Sequence, residues 1–352
     1  MIHLVSFTSA PGGIEVSLLK IIRSFPENFF KIFIIRPSAP DKVNVYTNTR
    51  IPVSYGDRNN FPAMIALLKY SLQNKNDTYH VFNIGPFFLL ILKLAGVKKI
   101  VYSIRGSIYW RTLPEKLIRK PLWQILINRR ITFVANSNYS REIFKRTFNI
   151  RDIDIEVLYN PIAPFSLSCD VNIIKDKQQF EIIYVGRLVK GKNLFLWIDV
   201  AKRVSEEFPF ATFSLYGDGP LLSDLERYAT DLGLKDSLCF KGYREDISTV
   251  YRRADLLLFL SEYESFGNVA VESILCNTPV IVSAIPSMLE IFKNYPQFIV
   301  SLDESVSKSV IEKIRAIEQL RDLLPGVQNE FNQRFSVTQH IEKLKNIYGV
   351  QE

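Results

Sequence analysis

Cysteine, histidine and methionine are scarce in this chain of 352 residues, three of each. The cysteines (Cys169, Cys239 and Cys276) are scattered without metal-like spacing. That excludes a disulfide scaffold or a zinc module and fits thiols in a reducing cytoplasm. His3, His80 and His340 are isolated in sequence and are not expected to be catalytic. There is no Gly-x-Gly-x-x-Gly and no Walker pattern, which argues against dinucleotide oxidoreductases and P-loop ATPases. No internal repeat, low-complexity tract or nucleic-acid motif stands out, so no nucleic-acid partner is expected. The longest apolar stretch, Val81 to Ala95, is interrupted by Asn83, Gly85, Pro86 and Lys93, so it is not read as a membrane span. The first seven residues, Met1 to Phe7, read as a strand and not as a cleavable signal.

What is present is a chain long enough for two cored domains, with 47% hydrophobic residues. Apolar β-rich runs alternate with helical patterns, which predicts parallel sheets with crossover helices. In the first half the expected strands are Ile2–Phe7, Lys31–Arg36, His80–Ile84, Ile100–Ser103, Thr132–Ala135 and Glu156–Tyr159. A Pro-containing connection, Asn160 to Pro164, then leads into the polar stretch Phe165–Lys177, read as a linker. Strands resume at Glu181–Val185, Thr212–Tyr216, Leu238–Phe240, Asp255–Leu260, Val280–Ser283 and Phe298–Ser301. The expected domains are 1–164 and 165–335. At the end, Ile341, Leu344 and Ile347 fall at helical spacing within Ser336–Tyr348.

Charge divides unevenly. Residues 1–165 carry 23 basic and 10 acidic side chains, whereas the remainder carries 21 and 26. A basic first half calls for an anionic partner. Its densest part, Lys98 to Arg130, has Lys98, Lys99, Arg105, Arg111, Lys116, Arg119, Lys120, Arg129 and Arg130 against only Glu115. Tyr109, Trp110, Leu113, Leu117, Trp123 and Ile127 are interleaved with them. Such a segment suits a helix in an anionic membrane interface, or an ordinary amphipathic helix with its tryptophan in the core.

The most informative stretch is Glu264-Ser265-Phe266-Gly267-Asn268-Val269-Ala270-Val271-Glu272. It follows the buried-strand pattern Asp255–Leu260 and leads through a Gly-containing turn into a helix. Loops at the carboxyl ends of parallel strands are where open α/β sheets bind ligands. Free N–H groups at a helix start suit a phosphate, and carboxylates suit sugar hydroxyls. Together they favour a sugar nucleotide. A second unit, Tyr184-Val185-Gly186-Arg187-Leu188-Val189-Lys190-Gly191-Lys192-Asn193, also links a strand to a helix. Its Gly186 permits close backbone approach, and Arg187 and Lys192 are spaced to converge on a diphosphate. Gly217 lies in Leu215-Tyr216-Gly217-Asp218-Gly219-Pro220, where a tight turn explains the glycines as well as a ligand does. Near the start, Ala10-Pro11-Gly12-Gly13-Ile14-Glu15 opens a helix whose buried stripe is Leu18, Ile21, Ile22 and Phe25.

The segment Tyr251–Phe292 resembles the donor-binding signature of retaining glycosyltransferases of family 4, the glycosyl transferases group 1. The resemblance is carried by Ala254-Asp255, Ser261 to Asn268, Glu272 and Thr278-Pro279-Val280-Ile281. It implies the α/β fold class GT-B, two Rossmann-like domains with parallel sheets facing a central cleft. It further implies that the helix at about 336–352 packs back on the N-terminal, acceptor-binding domain. Residues 165–335 would bind the nucleotide sugar. The implied activity is retaining, metal-independent transfer of a hexose-type sugar from a UDP- or GDP-sugar, with no cofactor. Arg187 and Lys192 would bind the diphosphate, Glu264 the sugar hydroxyls and Glu272 the ribose. The backbone at Phe266, Gly267 and Asn268 would meet the distal phosphate, and Gly12 and Gly13 would close over the donor phosphates. The loops at Gly217 and at Phe240-Lys241-Gly242-Tyr243 would lie beside the nucleotide.

Departures from the pattern matter. Many relatives have a histidine where this chain reads Ser103-Ile104-Arg105-Gly106-Ser107. Two acceptor-side readings fit Arg105: it replaces that histidine in holding substrate, or it greets an anionic acceptor. The usual Cys-Gly-Thr-Pro is Cys276-Asn277-Thr278-Pro279, which asparagine can satisfy because it tolerates left-handed geometry. Glu290 is retained, with a structural role implied. Asp152-Ile153-Asp154 spells a metal-binding pattern but is read as a surface turn. The expected acceptor is a lipid-linked glycan or polysaccharide, met peripherally at the inner face of the cell membrane, with a soluble acceptor still open. The competing readings are a catalytically silent nucleotide-sugar-binding subunit and a GT-B epimerase or phosphorylase.

Overall fold

The computed structural model describes residues 1–9, 12–26, 28–38, 44–47, 49–106, 113–127, 131–150, 153–162 and 179–350. The stretch read as a linker, Phe165–Lys177, lies outside them, as do Tyr109, Trp110, Arg111 and Asp152. The chain divides into two compact units, one formed by Met1–Pro161 with Phe335–Glu352, the other by Ile162–Arg334.

In the first unit the strands are β1 (Ile2–Ser6), β2 (Phe30–Ile34), β3 (Val53–Tyr55) and β4 (Thr78–Phe82), then β5 (Lys99–Ile104), β6 (Ile131–Ala135) and β7 (Ile155–Val157). They form one sheet in the order β3-β2-β1-β4-β5-β6-β7. Every neighbouring pair is parallel. Helices α1 (Gly13–Arg23), α2 (Asn60–Gln73), α3 (Pro86–Leu94), α4 (Leu113–Leu126) and α5 (Asn138–Phe148) are the crossovers. Side chains alternate between faces along each strand. Val5, Val81, Tyr102 and Phe133 join Leu67, Leu89, Trp123 and Phe144 of α2 to α5 in one core. Their neighbours Leu4, Phe82, Val101 and Val134 point the other way, to Leu18 and Ile21 of α1.

That second face is completed by the chain's last helix, α13 (Val337–Tyr348), which supplies Ile341, Leu344 and Tyr348. Ser336 caps its start by accepting from the Gln339 N–H, and Gly349 ends it at φ +69°. Lys99 Nζ donates to the Tyr348 carbonyl at 2.7 Å, fastening the helix end to β5.

The second unit has β8 (Phe180–Val185), β9 (Ala211–Tyr216), β10 (Leu238–Gly242), β11 (Leu256–Phe259), β12 (Val280–Ser283) and β13 (Ile299–Val300). These are parallel, in the order β10-β9-β8-β11-β12-β13. Around them lie α6 (Leu194–Glu207), α7 (Leu222–Asp231), α8 (Ile247–Arg253) and α9 (Asn268–Leu275). The remaining helices are α10 (Pro286–Ile291), α11 (Val306–Arg315) and α12 (Ile317–Arg334). Trp197 of α6 is fully buried, and its indole N–H donates to the Leu258 carbonyl of β11 at 2.9 Å. An apolar strand covered on both faces is what a central parallel strand requires.

Every strand expected from the sequence is present, with ends displaced by no more than two residues. Strand β3 was not expected: Val-Ser-Tyr is short, lies at the sheet edge and leaves its side chains half-buried or exposed, so no apolar run marks it. The apolar stretch Val81–Ala95 divides into the end of β4, a turn with Asn83 at φ +51°, and α3. Among the described residues no helix is long and apolar enough to cross a membrane.

The packing of α13 is testable. Leu344 is fully buried, so Leu344→Ala should cost about 2–5 kcal/mol of unfolding free energy. A denaturant midpoint equal to wild type would show that this helix contributes nothing to the core.

Candidate active site

In the second unit β8, β9 and β10 progress to one side, whereas β11, β12 and β13 progress to the other. The order reverses between β8 and β11, so the loops leaving these two strands diverge and open a crevice at their carboxyl ends. The loop after β8 holds Gly186 and Arg187 and then a 3-10 turn, Lys190–Lys192. Asn193, at φ +55°, ends that turn and starts α6, a left-handed geometry asparagine tolerates. The loop after β11 holds Ser261 to Gly267.

These loops are joined by an ion pair between Lys192 Nζ and Glu264 Oε1, with both side chains less than one-fifth exposed. Ser261 Oγ donates to the same carboxylate oxygen at 3.1 Å. The Glu262 N–H donates to the Gly191 carbonyl at 3.3 Å, so backbone also ties the two loops. Lys192 Nζ lies 5.7 Å from the centre of the Phe259 ring. A third loop supports the cluster: Ser283 Oγ, at the end of β12, donates to the Ser261 carbonyl at 2.6 Å. A charged hydrogen bond in a half-dry pocket is stronger than its counterpart in water. Arg187 is exposed, and among the described residues its guanidinium makes no ion pair.

Close backbone packing explains the glycines. Gly186 and Gly217 have φ +152° and +145°. A Cβ on Gly217 would lie 1.8 Å from the Gly186 carbonyl oxygen. The loops after β8 and β9 are laced together, Gly186 N–H to the Tyr216 carbonyl and Leu188 N–H to the Asp218 carbonyl, each at 2.9 Å. Gly217 N–H donates in turn to the Gly242 carbonyl at 2.9 Å. The reading of Gly217 as a turn glycine fits this packing: it holds the loop after β9 against the loop after β8.

Helix α9 starts from Gly267, at φ +95°, followed by Asn268. Phe266 is 1% exposed, so its side chain belongs to the core. Glu272 is buried on α9 and accepts from the Tyr251 hydroxyl at 3.2 Å. Asn277, expected to take left-handed geometry, has φ +63°. The Glu290 carbonyl accepts from Arg334 at 3.0 Å.

Gly12, Gly13 and Arg105 lie in the first unit. Gly12 caps α1 in an extended conformation, and Gly13 is its first residue. Glu15, one turn on, is 5% exposed and accepts from Ser6 Oγ at 3.2 Å. Its Oε2 lies 2.6 Å from where a Cβ on Gly12 would sit, so a side chain there would have to displace the end of Glu15. Arg105 is buried, not open to solvent: it donates to Asn160 Oδ1 at 2.6 Å and stands 5.3 Å over the Phe82 ring. Burial lowers its pKa to about 10, opposed by nearby Tyr348 and Glu15. The histidines, isolated in sequence, are all buried. His80 lies between the Tyr348 hydroxyl at 2.5 Å and Ser103 Oγ at 2.7 Å. His340 Nδ1 donates to the Tyr159 carbonyl at 2.8 Å, and burial followed by the charge of Arg105 lowers its pKa to about 3. Of these supporting groups, Ser261 and Glu15 stood inside stretches already marked by their motifs. Tyr251 stood at the edge of the family signature, and Ser283 closed an expected strand. Asn160 lay in a connection read only as the way to a linker. Ala10, Pro11 and Ser107 lie outside the described residues. Among the described residues no group of three or more His, Cys, Asp or Glu side chains is placed to hold a metal ion.

Residues 170–332 match the family described as glycosyl transferases group 1, and residues 11–164 match glycosyltransferase family 4. The chain is 25% identical over 303 residues to the UDP-Gal:alpha-D-GlcNAc-diphosphoundecaprenol alpha-1,3-galactosyltransferase of Escherichia coli, covering 81% of this chain and 78% of that protein. It is 28% identical over 235 residues to an O-antigen chain mannosyltransferase of Salmonella typhimurium, covering 65% of this chain and 63% of that one. The crystal structure of HepE from Anabaena in complex with UDP superposes with a TM-score of 0.79 at 20% identity, covering 98% of both chains. At that identity the likeness speaks for the fold.

Two stability tests follow from this geometry. Gly217→Ala should cost more than about 1 kcal/mol, since its φ and its neighbouring carbonyl both exclude a methyl group. Gly191→Ala, with open space around the added carbon, should stay within about 0.5 kcal/mol of wild type. Equal denaturant midpoints for the two variants would count against the packing account. The second test is pH. Unfolded His340 titrates near 6.5 and folded His340 near 3. Above 6.5 neither state binds the proton; as pH falls from there toward 3, only the unfolded chain gains it, and stability is lost. At pH 5 the loss from this one group is about 2 kcal/mol. His80, also held well below its ordinary value, acts in the same direction. The fall in unfolding free energy between pH 7.5 and pH 5 should therefore shrink by about 2 kcal/mol in His340→Asn. An unchanged pH dependence would mean that folded His340 titrates normally.

Proposed function

Since the chain belongs to the family 4, group 1 glycosyltransferases and has the GT-B fold, we propose that it transfers a hexose-type sugar, with retention and without a metal, from a UDP- or GDP-sugar to a lipid-linked glycan during surface polysaccharide synthesis. The observation that carries this reading is the Lys192–Glu264 pair, with the exposed Arg187 on the same loop as Lys192, at the reversal of strand order between β8 and β11. Cations there face the charge that develops when a nucleoside diphosphate departs. Arg187 and Lys192 neutralise the diphosphate and take the place a metal ion fills in other transferases. Glu264, freed in part from Lys192 by the incoming phosphate, accepts from sugar hydroxyls, and Glu272 accepts from the ribose.

The start of α9 at Phe266, Gly267 and Asn268 presents backbone N–H groups toward the distal phosphate. Gly186 and Gly217 let the neighbouring loops approach the nucleotide, and Gly12 and Gly13 supply a second glycine-rich turn for the donor phosphates. No cofactor takes part. Transfer breaks the bond between the anomeric carbon and the phosphate oxygen and forms one to the acceptor oxygen on the same face. The acceptor proton passes to the leaving phosphate. Arg105 acts on the acceptor side from beneath, fixing Asn160 and balancing Glu15.

A lipid-linked acceptor is supported by the diphosphoundecaprenol and O-antigen substrates in the names of the relatives. It is also supported by the basic first half, 23 positive against 10 negative side chains over residues 1–165. The enzyme then works peripherally at the inner face of the cell membrane.

Thermal shift with UDP- and GDP-sugars tests the donor site. Wild type should be stabilised by one nucleotide class, and Glu272→Gln, which leaves an acceptor for Tyr251, should lose most of that shift. Its transfer efficiency should fall roughly 10- to 150-fold, the loss of one charged hydrogen-bonding partner. No shift with any nucleotide sugar, or unchanged turnover in the variant, would overturn the assignment.

A further inference from the structure

A helix that packs one side on a sheet ordinarily turns charged side chains to solvent. Three neighbouring helices of the first unit do not. On α2 the outward stripe is Phe61, Ile65, Lys69 and Leu72, with Phe61 73% exposed. At about 100° per residue these four fall within an arc of about 80°. On α3 the exposed residues are Phe87 and, two turns on, Leu94, at 68%. On α4 the exposed apolar residues include Leu117, Ile118 and Ile125. Helix α3 packs against both α2 and α4, and all three bury their other sides in the same core. Their outward sides therefore form one surface.

The charge on these helices is mainly positive. Helices α2 and α3 contain no aspartate or glutamate, and α4 contains only Glu115. Lys69, Lys75 and Lys98 are exposed on α2 and in the connections, and Lys120 stands half-buried beside the exposed apolar side of α4. A second copy of the chain would bring two basic faces together, which is repulsive. An anionic bilayer satisfies both features, since apolar side chains enter the acyl boundary while lysines meet lipid phosphates.

We propose that this three-helix face rests on an anionic lipid bilayer, with α2 and α3 inserted beside α4. The inference rests on the reading of the enzyme as one that meets its acceptor at a membrane, and it names the surface that does so. It extends the contact beyond the basic segment Lys98–Arg130 to two helices whose charge alone would not single them out.

The test is co-sedimentation of the full chain with vesicles of phosphatidylcholine alone and of phosphatidylcholine with phosphatidylglycerol, neither containing a glycolipid. Wild type should bind the anionic vesicles, less so at raised salt. Phe61→Asp with Leu94→Asp, both at exposed positions and checked for folding by circular dichroism, should weaken binding roughly tenfold or more. Equal binding by that double variant, with loss only in Leu117→Asp, would overturn the three-helix surface in favour of α4 alone. Absence of vesicle binding, or a dimer in solution that these substitutions dissociate, would overturn the bilayer as its occupant. Thermal shift with UDP- and GDP-sugars tests the enzymatic reading separately. Vesicle binding without a shift from any nucleotide sugar would sink that reading and leave this one standing.

Discussion

An ammonium and a carboxylate share the gap where the strand order of the second sheet reverses, and the arrangement of the surrounding loops depends on them. The reversal is a matter of topology: strands β8 and β11 are neighbours, yet their connections run to opposite sides. A gap so formed has no backbone of its own to fill it. Lys192 and Glu264 close it in part, and Ser261, Ser283 and the backbone of Gly191 hold them in place. Each charge makes the burial of the other tolerable, because a single uncompensated ion in that position would be costly. The pair is thus a brace between loops.

The first unit solves a different problem. Arg105 is placed inside the protein, at the carboxyl end of a central strand, where a charged group needs partners. Asn160 accepts from it, Phe82 offers its ring face, and the buried carboxylate of Glu15 lies near enough to oppose the loss of its proton. The same charge helps keep His80 and His340 neutral. Helix α13 supplies His340 and Tyr348, so it completes the surroundings of a residue far away in sequence. The cluster gathers Glu15 of α1, Arg105 after β5 and Asn160 after β7.

Much of this was legible in the sequence because it repeats locally. Parallel strands buried on both faces leave apolar runs, and β8, β11 and β12 are unmistakable for that reason. The Gly-Arg and Glu-x7-Glu segments were legible because they sit directly after such runs. What escaped was whatever depends on contacts between distant residues. Strand β3 is an edge strand with no apolar run to mark it. The burial of Arg105 could not be read from Ser-Ile-Arg-Gly-Ser, since an arginine one residue past a strand is as easily exposed. The partnership of His80 with Tyr348 spans most of the chain, and no spacing rule connects them. Gly217 is an intermediate case: its turn was apparent, but the carbonyl that forbids a side chain belongs to Gly186 on another strand.

The outward face of α2, α3 and α4 shows the same limit from the other direction. In the run Pro-Phe-Phe-Leu-Leu-Ile-Leu-Lys-Leu, Phe88 is buried and Phe87 is exposed, and nothing in composition separates them. A helix apolar all round reads as a core helix, and charge density directs attention instead to the basic stretch that follows. Only placement on the sheet reveals that α3 has one side too many: the core takes Phe88, Leu89 and Leu92, and Phe87 and Leu94 are left over. Two adjacent helices share this surplus, and acidic residues are almost wholly absent from all three. For a soluble surface that combination is a liability, exposing apolar area without the charge balance that keeps chains apart. For a surface that spends its time against anionic headgroups, it is the composition the environment selects.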